Sequence, residues 1–146
     1  MRKTTFCMVV SAMVVLLSGA TSRAEAEGAV SPFLIAEGLP HLTKILLAQW
    51  DNSALKLTEA QKEQLLVVRK KTMSAVKKLT PQAEALRNQV IEGINVGKTP
   101  AELEPLVQKL AKLKARATQV HLECIYDTRQ ILTSEQRDLL GDLSSE

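Results

Sequence analysis

The sequence is poor in aromatic residues, histidine and cysteine, and it contains none of the common catalytic motifs. Phenylalanine, tryptophan and tyrosine make up 3% of the 146 residues, and only two histidines are present. Such a composition is typical of helices packed along a narrow seam rather than around a thick core. There is no glycine-rich phosphate loop, no Gly-x-Ser-x-Gly elbow and no His-Glu-x-x-His pair. We therefore expect a protein that is not an enzyme and has no cofactor, unless a divalent metal binds at the few histidines.

The N-terminus has the composition of a cleavable signal peptide. Arg2 and Lys3 precede an apolar run at 6–17, and small residues follow at 24–26. The apolar run is shorter than the ~20 residues of a membrane-spanning helix. We predict cleavage after Ala26, with Ala20 as the alternative, and hence export of the mature chain. The predicted organisation is a signal peptide at 1–26, a flexible mature N-terminus at 27–39 and a single helical domain at 40–143.

Removal of the signal peptide nearly neutralises the chain. The full sequence has 19 basic and 16 acidic residues, and the predicted mature chain keeps 16 and 15 of them. Net charge therefore gives no reason to expect a nucleic-acid partner. Cys7 is lost with the signal peptide, so Cys124 is the only mature cysteine and no internal disulfide can form.

Helical spacing and start signals divide the mature chain into four helices. The first is predicted to begin at Pro40 and to end near Trp50. The second runs from Thr58 to about Glu92, with Pro81 expected to kink or divide it. A turn at 93–97 precedes the third, which starts at a Thr-x-x-Glu capping box and runs to about residue 130. The registers of the two long helices match when they fold back on each other. We predict an all-α fold built on a long antiparallel helical hairpin, with short N- and C-terminal helices.

One pentapeptide pattern, Leu-Thr-x-x-Gln, occurs twice, 75 positions apart. In each copy the threonine and glutamine can form a capping box at the start of a helix. The repeat therefore brackets the hairpin. Its residues are Leu57, Thr58 and Gln61 in the first copy and Leu132, Thr133 and Gln136 in the second.

Basic residues concentrate in the middle of the hairpin. The stretches between Glu63 and Glu84 and between Glu104 and Glu123 contain no acidic residue. One interpretation is a solvated face that keeps the protein soluble. The other is a client-binding belt, where charge speeds encounter and exposed apolar side chains add affinity for partly unfolded chains. The candidate client-binding residues are Arg69, Lys70, Met73, Lys77, Lys78, Lys109, Lys112 and Arg116.

Three residues are candidate metal ligands: His121, Cys124 and His41. His121 and Cys124 lie three positions apart and share a helix face, which suits a soft or borderline metal. A complete site needs further donors, and His41 is the only obvious one. Cys124 also continues the apolar seam, so a buried thiol is an alternative, as is a disulfide bridging a dimer.

The signal peptide, the helical hairpin and the two Leu-Thr-x-x-Gln motifs resemble the Spy/CpxP family of periplasmic proteins. The resemblance covers about residues 40–141. It implies a cradle-shaped homodimer in the periplasm that acts as an ATP-independent chaperone for unfolded or misfolded envelope proteins. Two other roles within the family are implied as alternatives. One is binding or sensing of zinc, nickel or copper, and the other is regulation of a membrane sensor kinase as an adaptor.

Overall fold

The computed structural model describes residues 31–143 and confirms the predicted all-helical hairpin. The predicted signal peptide at 1–26 and the first mature residues at 27–30 lie outside the described residues. Within 31–143 there are four helices and no strand. The helices are α1 (Leu42–Ala48), α2 (Glu59–Asn95), α3 (Pro100–Ile131) and α4 (Ser134–Leu143). None of these helices is long and apolar enough to cross a membrane.

Helix α2 starts at the predicted capping box. The Thr58 hydroxyl accepts from the Gln61 backbone N–H at 3.2 Å, and the Gln61 side-chain oxygen accepts from the Thr58 N–H at 3.0 Å. Its 37 residues span about 55 Å at ~1.5 Å per residue. The predicted end near Glu92 is wrong by three residues. The helix continues to Asn95 because its stop signal is Gly97, which adopts φ 83° and closes a Schellman motif through Lys98 N–H to the Gly93 carbonyl.

Pro81 does not divide α2. The helix is continuous through it, although the proline has no N–H to donate to the carbonyl one turn earlier. Thr80, directly before the proline, does not cap a new helix. Instead the Thr80 hydroxyl donates to the Val76 carbonyl at 2.9 Å, and the Gln82 side chain donates to the Lys78 carbonyl at 2.8 Å.

Helix α3 begins as predicted. Pro100 is its first residue, and Thr99 and Glu102 form the capping box at its N-terminus. It packs antiparallel on α2 along a narrow seam. Near the turn the two helices approach so closely that a Cβ atom added at Gly93 would lie 2.5 Å from Leu103 Cδ2. Towards the other end the seam is formed by small and medium side chains of α3, namely Ala117, Val120 and Cys124.

The largest apolar core lies at the open end of the hairpin, where α1 and α4 pack on it. Its buried residues are Leu46, Leu55, Leu65, Leu132 and Leu140. The predicted bounds of α1 are too wide at both ends. The Lys44 and Ile45 N–H groups both donate to the His41 carbonyl, so the first turn begins after His41, and Pro40 lies outside the helix. At the other end Gln49 terminates α1 before Trp50.

Candidate functional site

The two Leu-Thr-x-x-Gln motifs are in direct contact through their glutamines. Gln61 Nε2 donates to Gln136 Oε1 at 2.8 Å, and Gln136 Nε2 donates to Gln61 Oε1 at 3.2 Å. Each glutamine oxygen also accepts the backbone N–H of its own motif's threonine, at 3.0 Å in both copies. The pair therefore closes both capping boxes and joins them. We call Gln61 and Gln136 the glutamine clasp.

The clasp also binds backbone carbonyls of the opposite segment. Gln61 Nε2 donates to the Ile131 carbonyl at 2.9 Å, at the end of α3. Gln136 Nε2 donates to the buried Leu55 carbonyl at 2.8 Å. The neighbouring Lys56 has φ 46°, a left-handed conformation that costs a non-glycine residue about 1–2 kcal/mol. The clasp thus fixes the open end of the hairpin, with Leu132 buried in the core beside it.

The basic residues predicted to bind clients do not line one continuous surface. Lys70, Met73 and Lys77 come together on α2, where they line an open groove of about 650 Å³ with Val76 and Pro81 as apolar neighbours. We call this the α2 groove. Met73 is 53% exposed, and both lysines are exposed. The groove therefore combines an apolar floor with a positive charge on either side.

Arg116 lies at a different place, between α2 and α3. It lines a small pocket of about 100 Å³ together with Lys71, Glu123 and Asp127, so the charges there are mixed. Lys71 and Asp127 approach to 3.8 Å, while the α2 groove contains no acidic side chain.

The other four candidate residues line neither the groove nor this pocket. A helix turns by about 100° per residue, so Lys78 points away from Lys77. Lys109 and Lys112 are exposed on α3, and Arg69 is half-buried on α2. These residues contribute positive charge to the hairpin without lining the α2 groove.

The groove lysines are not neutralised by neighbours. Among residues 31–143 the ion pairs within 4.0 Å are Lys62–Glu59 and Lys71–Asp127. Lys70 and Lys77 therefore keep their charge available to a ligand. Exposed lysines on flexible stems interact with anions without fixed geometry, which favours weak and sequence-tolerant binding.

The three candidate metal ligands do not form a ligand set. The ring of His41 stacks on that of His121, with centroids 4.7 Å apart and planes 17° from parallel. Cys124 is a buried free thiol whose Sγ lies 3.9 Å from Thr43 Oγ1. Across the described residues, no group of three or more His, Cys, Asp or Glu side chains converges on one point.

His121 is buried and its Nδ1 atom has no hydrogen-bond partner. Burial lowers the pKa of His121 below its ordinary value of 6.5, and the neighbouring His41 lowers it further, while a hydrogen bond to the Pro40 backbone acts in the opposite direction. These surroundings therefore favour the neutral form of the side chain.

The segment before α1 lies on α3, at a place that the sequence did not indicate. The backbone N–H groups of Leu34 and Ile35 donate to Thr118 Oγ1, at 2.8 and 3.4 Å. The Phe33 ring contacts the His121 ring, with centroids 5.2 Å apart. Part of the predicted flexible N-terminus is thus attached to α3. A threonine in the middle of a helix gives no sequence signal for such a contact.

Comparison with known proteins agrees with this architecture. A protein-family model described as LTXXQ motif family protein matches residues 49–144, which is more than half of the chain and includes both motifs of the clasp. No curated protein and no solved structure matches the chain. The chain therefore belongs to the LTXXQ motif family, the family of Spy/CpxP-like periplasmic proteins.

Proposed function

We propose that this protein is an ATP-independent periplasmic chaperone that binds unfolded or misfolded envelope proteins through the α2 groove. Membership of a family that is typically periplasmic supports the location. The groove supports the activity, because it joins exposed apolar surface to unpaired positive charge. Binding and release of this kind involve no enzymatic step.

The observation that supports the function most directly is the composition of the α2 groove. Lys70 and Lys77 lie two helical turns apart, about 10 Å along α2, with Met73 between them. The two charges would accelerate the encounter with acidic segments of a client. Methionine is flexible and polarizable, so Met73 can contact many different apolar side chains. The open groove offers no enclosed cavity, so contacts remain few and release is fast.

The test is a double charge reversal in the groove, Lys70→Glu with Lys77→Glu. The control is Lys109→Glu with Lys112→Glu, which changes the net charge equally on exposed α3 positions outside the groove. We expect the groove variant to lower the association rate with an unfolded acidic client about tenfold at low salt, since electrostatic steering contributes ~10-fold or more. The control should lose much less.

Equal losses in the two variants would mean that net charge alone attracts clients. No loss in either variant would remove the groove from the proposal. Stopped-flow fluorescence at two ionic strengths measures both rates, and the difference between variants should shrink as salt rises.

We also propose that the protein is a homodimer. Large apolar side chains outside the seam are exposed on both long helices, at Leu66, Val67, Ile91, Val107 and Leu122. A second copy could cover part of this surface. Light scattering coupled to size-exclusion chromatography would give the mass of the particle, and a monomer mass at high micromolar concentration would contradict the dimer.

A further inference from the structure

Residues 31–40 form a bent, non-helical segment that contacts α3 through the Leu34 and Ile35 backbone and the Phe33 ring; we call it the N-terminal strap. A single side-chain oxygen, Thr118 Oγ1, accepts from two consecutive backbone N–H groups of the strap. Thr118 is only 5% exposed. Backbone N–H groups are present in every non-proline residue, and recognition of this kind does not depend on the bound sequence.

One strap side chain adds to this backbone recognition. The half-buried Phe33 ring packs on His121, tilted by 36°. The His121 ring also stacks on the His41 ring. The His121 ring, stacked on His41, is therefore the surface on which Phe33 rests, and another aromatic side chain can take the place of Phe33 there.

The strap fits this surface incompletely. Leu34 is 61% exposed and Ile35 is 48% exposed, so the two side chains next to Phe33 bury little. Beneath the strap, His121 Nδ1 is buried without a hydrogen-bond partner, and such an atom typically costs about 1–3 kcal/mol. A segment that binds through two hydrogen bonds and one ring can be exchanged for another with the same features.

We propose that the α3 face formed by Thr118 and His121 is a second peptide-binding site, which the strap of the same chain occupies. Its ligand is a segment that bends as the strap does, with an aromatic residue followed by two residues whose N–H groups converge on Thr118 Oγ1. Unfolded proteins expose many such segments. The site is separate from the α2 groove and selects for aromatic rather than acidic character.

The strap acts as a tethered competitor. A tethered segment has an effective concentration in the millimolar range, so an incoming peptide binds only to the fraction of molecules whose strap is detached. Loosening the strap should strengthen peptide binding, and damaging the site should abolish it. If the strap had only a structural role, loosening it would not strengthen peptide binding.

The experiment uses the full mature chain and a fluorescent peptide of sequence Ser-Pro-Phe-Leu-Ile-Ala-Glu, identical to 31–37. Fluorescence anisotropy gives its Kd for each variant. Phe33→Ala should bind the peptide about tenfold more tightly than the unmutated chain, because the strap then detaches more often. Addition of Thr118→Val should abolish this gain. Ile94→Ala, an exposed apolar truncation at the hairpin turn, should leave the Kd unchanged.

A second variant loosens the strap without removing its ring. Leu34→Pro lacks the N–H group that donates at 2.8 Å, so it should increase affinity as Phe33→Ala does. Equal peptide affinity in the unmutated chain and both loosened variants would overturn the proposal, and so would a gain that survives Thr118→Val. The groove variant Lys70→Glu with Lys77→Glu should leave peptide binding unchanged, so this site and the α2 groove fail or succeed independently.

Discussion

Replacement of Gln136 by alanine should destabilise the fold far more than an ordinary surface substitution. The side chain is only 8% exposed and serves two segments at once. Its oxygen accepts from the Thr133 N–H and from Gln61, and its nitrogen donates to Leu55 and back to Gln61. Alanine removes all of these interactions and leaves the buried Leu55 carbonyl without this partner.

The magnitude follows from two contributions. Loss of a helix cap costs about 1 kcal/mol, and an unsatisfied buried carbonyl costs about 1–3 kcal/mol. We therefore expect Gln136→Ala to lower the free energy of unfolding by about 3 kcal/mol. For a domain of this size the melting temperature should fall by about 12 °C, at ~4 °C per kcal/mol. Far-UV circular dichroism during thermal and urea unfolding measures both values.

The matched control is Gln64→Ala, which truncates an exposed glutamine on α2. It should change the stability by less than about 0.5 kcal/mol. The double variant Gln61→Ala with Gln136→Ala should lose less than the sum of the single variants, because the two side chains bind each other. A Gln136→Ala loss no larger than that of Gln64→Ala would refute the clasp as a stabilising element.

Gln136→Glu tests the role of the amide nitrogen specifically. The substitution keeps an oxygen for the Thr133 N–H but places a carboxylate oxygen against the Leu55 carbonyl and Gln61 Oε1. The protonated acid is favoured in the folded state, which raises the pKa of the new carboxyl. The deficit relative to the unmutated chain should therefore be largest at pH 7 and should shrink as the pH falls towards 4. An unchanged deficit across this range would contradict the geometry.

Two further predictions concern buried groups of α3. Because the pKa of His121 is lowered from 6.5, the folded state binds fewer protons than the unfolded state, so stability should be full above pH 6.5 and should fall as the pH drops below it. Melting curves between pH 7.5 and 5.5 should show this loss, and His121→Gln should reduce it; an identical pH slope in the variant would be inconsistent with burial of a neutral imidazole. The Cys124 thiol is 6% exposed, so a thiol reagent should modify it slowly in buffer and rapidly in denaturant. Fast modification of the folded protein would show that the seam opens readily.

Helices α2, α3 and α4 could be predicted from sequence because their start signals are local. Capping boxes at Thr58, Thr99 and Thr133 involve residues within one turn of each other, and all three form. The seam was predictable for a similar reason, since apolar residues at alternating steps of three and four can share only one helix face.

The contact between the two motifs was not predicted, although the sequence contains a signal for it. A glutamate at the third position of a capping box can accept the N–H of the cap as well as glutamine can, and the box at Thr99 uses Glu102. Both Leu-Thr-x-x-Gln copies carry an amide instead, and only the amide has N–H donors for an acceptor elsewhere. Gln61 and Gln136 use those donors across the open end of the hairpin.

Other differences arise where distant residues decide the outcome. The end of α2 depends on which of Gly93 and Gly97 takes a positive φ, and Gly93 stays helical against Leu103. The basic belt was predicted from linear stretches without acids. The helical turn then distributes those residues around the hairpin, so that among the basic residues named as client-binding candidates Lys70 and Lys77 line the groove.

The most direct test of the proposed function is the aggregation of an unfolded client in the presence of the purified mature protein without ATP. Light scattering at an equimolar ratio of protein to client should show suppressed aggregation, with stronger suppression at low salt than at high salt. The account is contradicted if the client aggregates at the same rate and to the same extent with and without the protein.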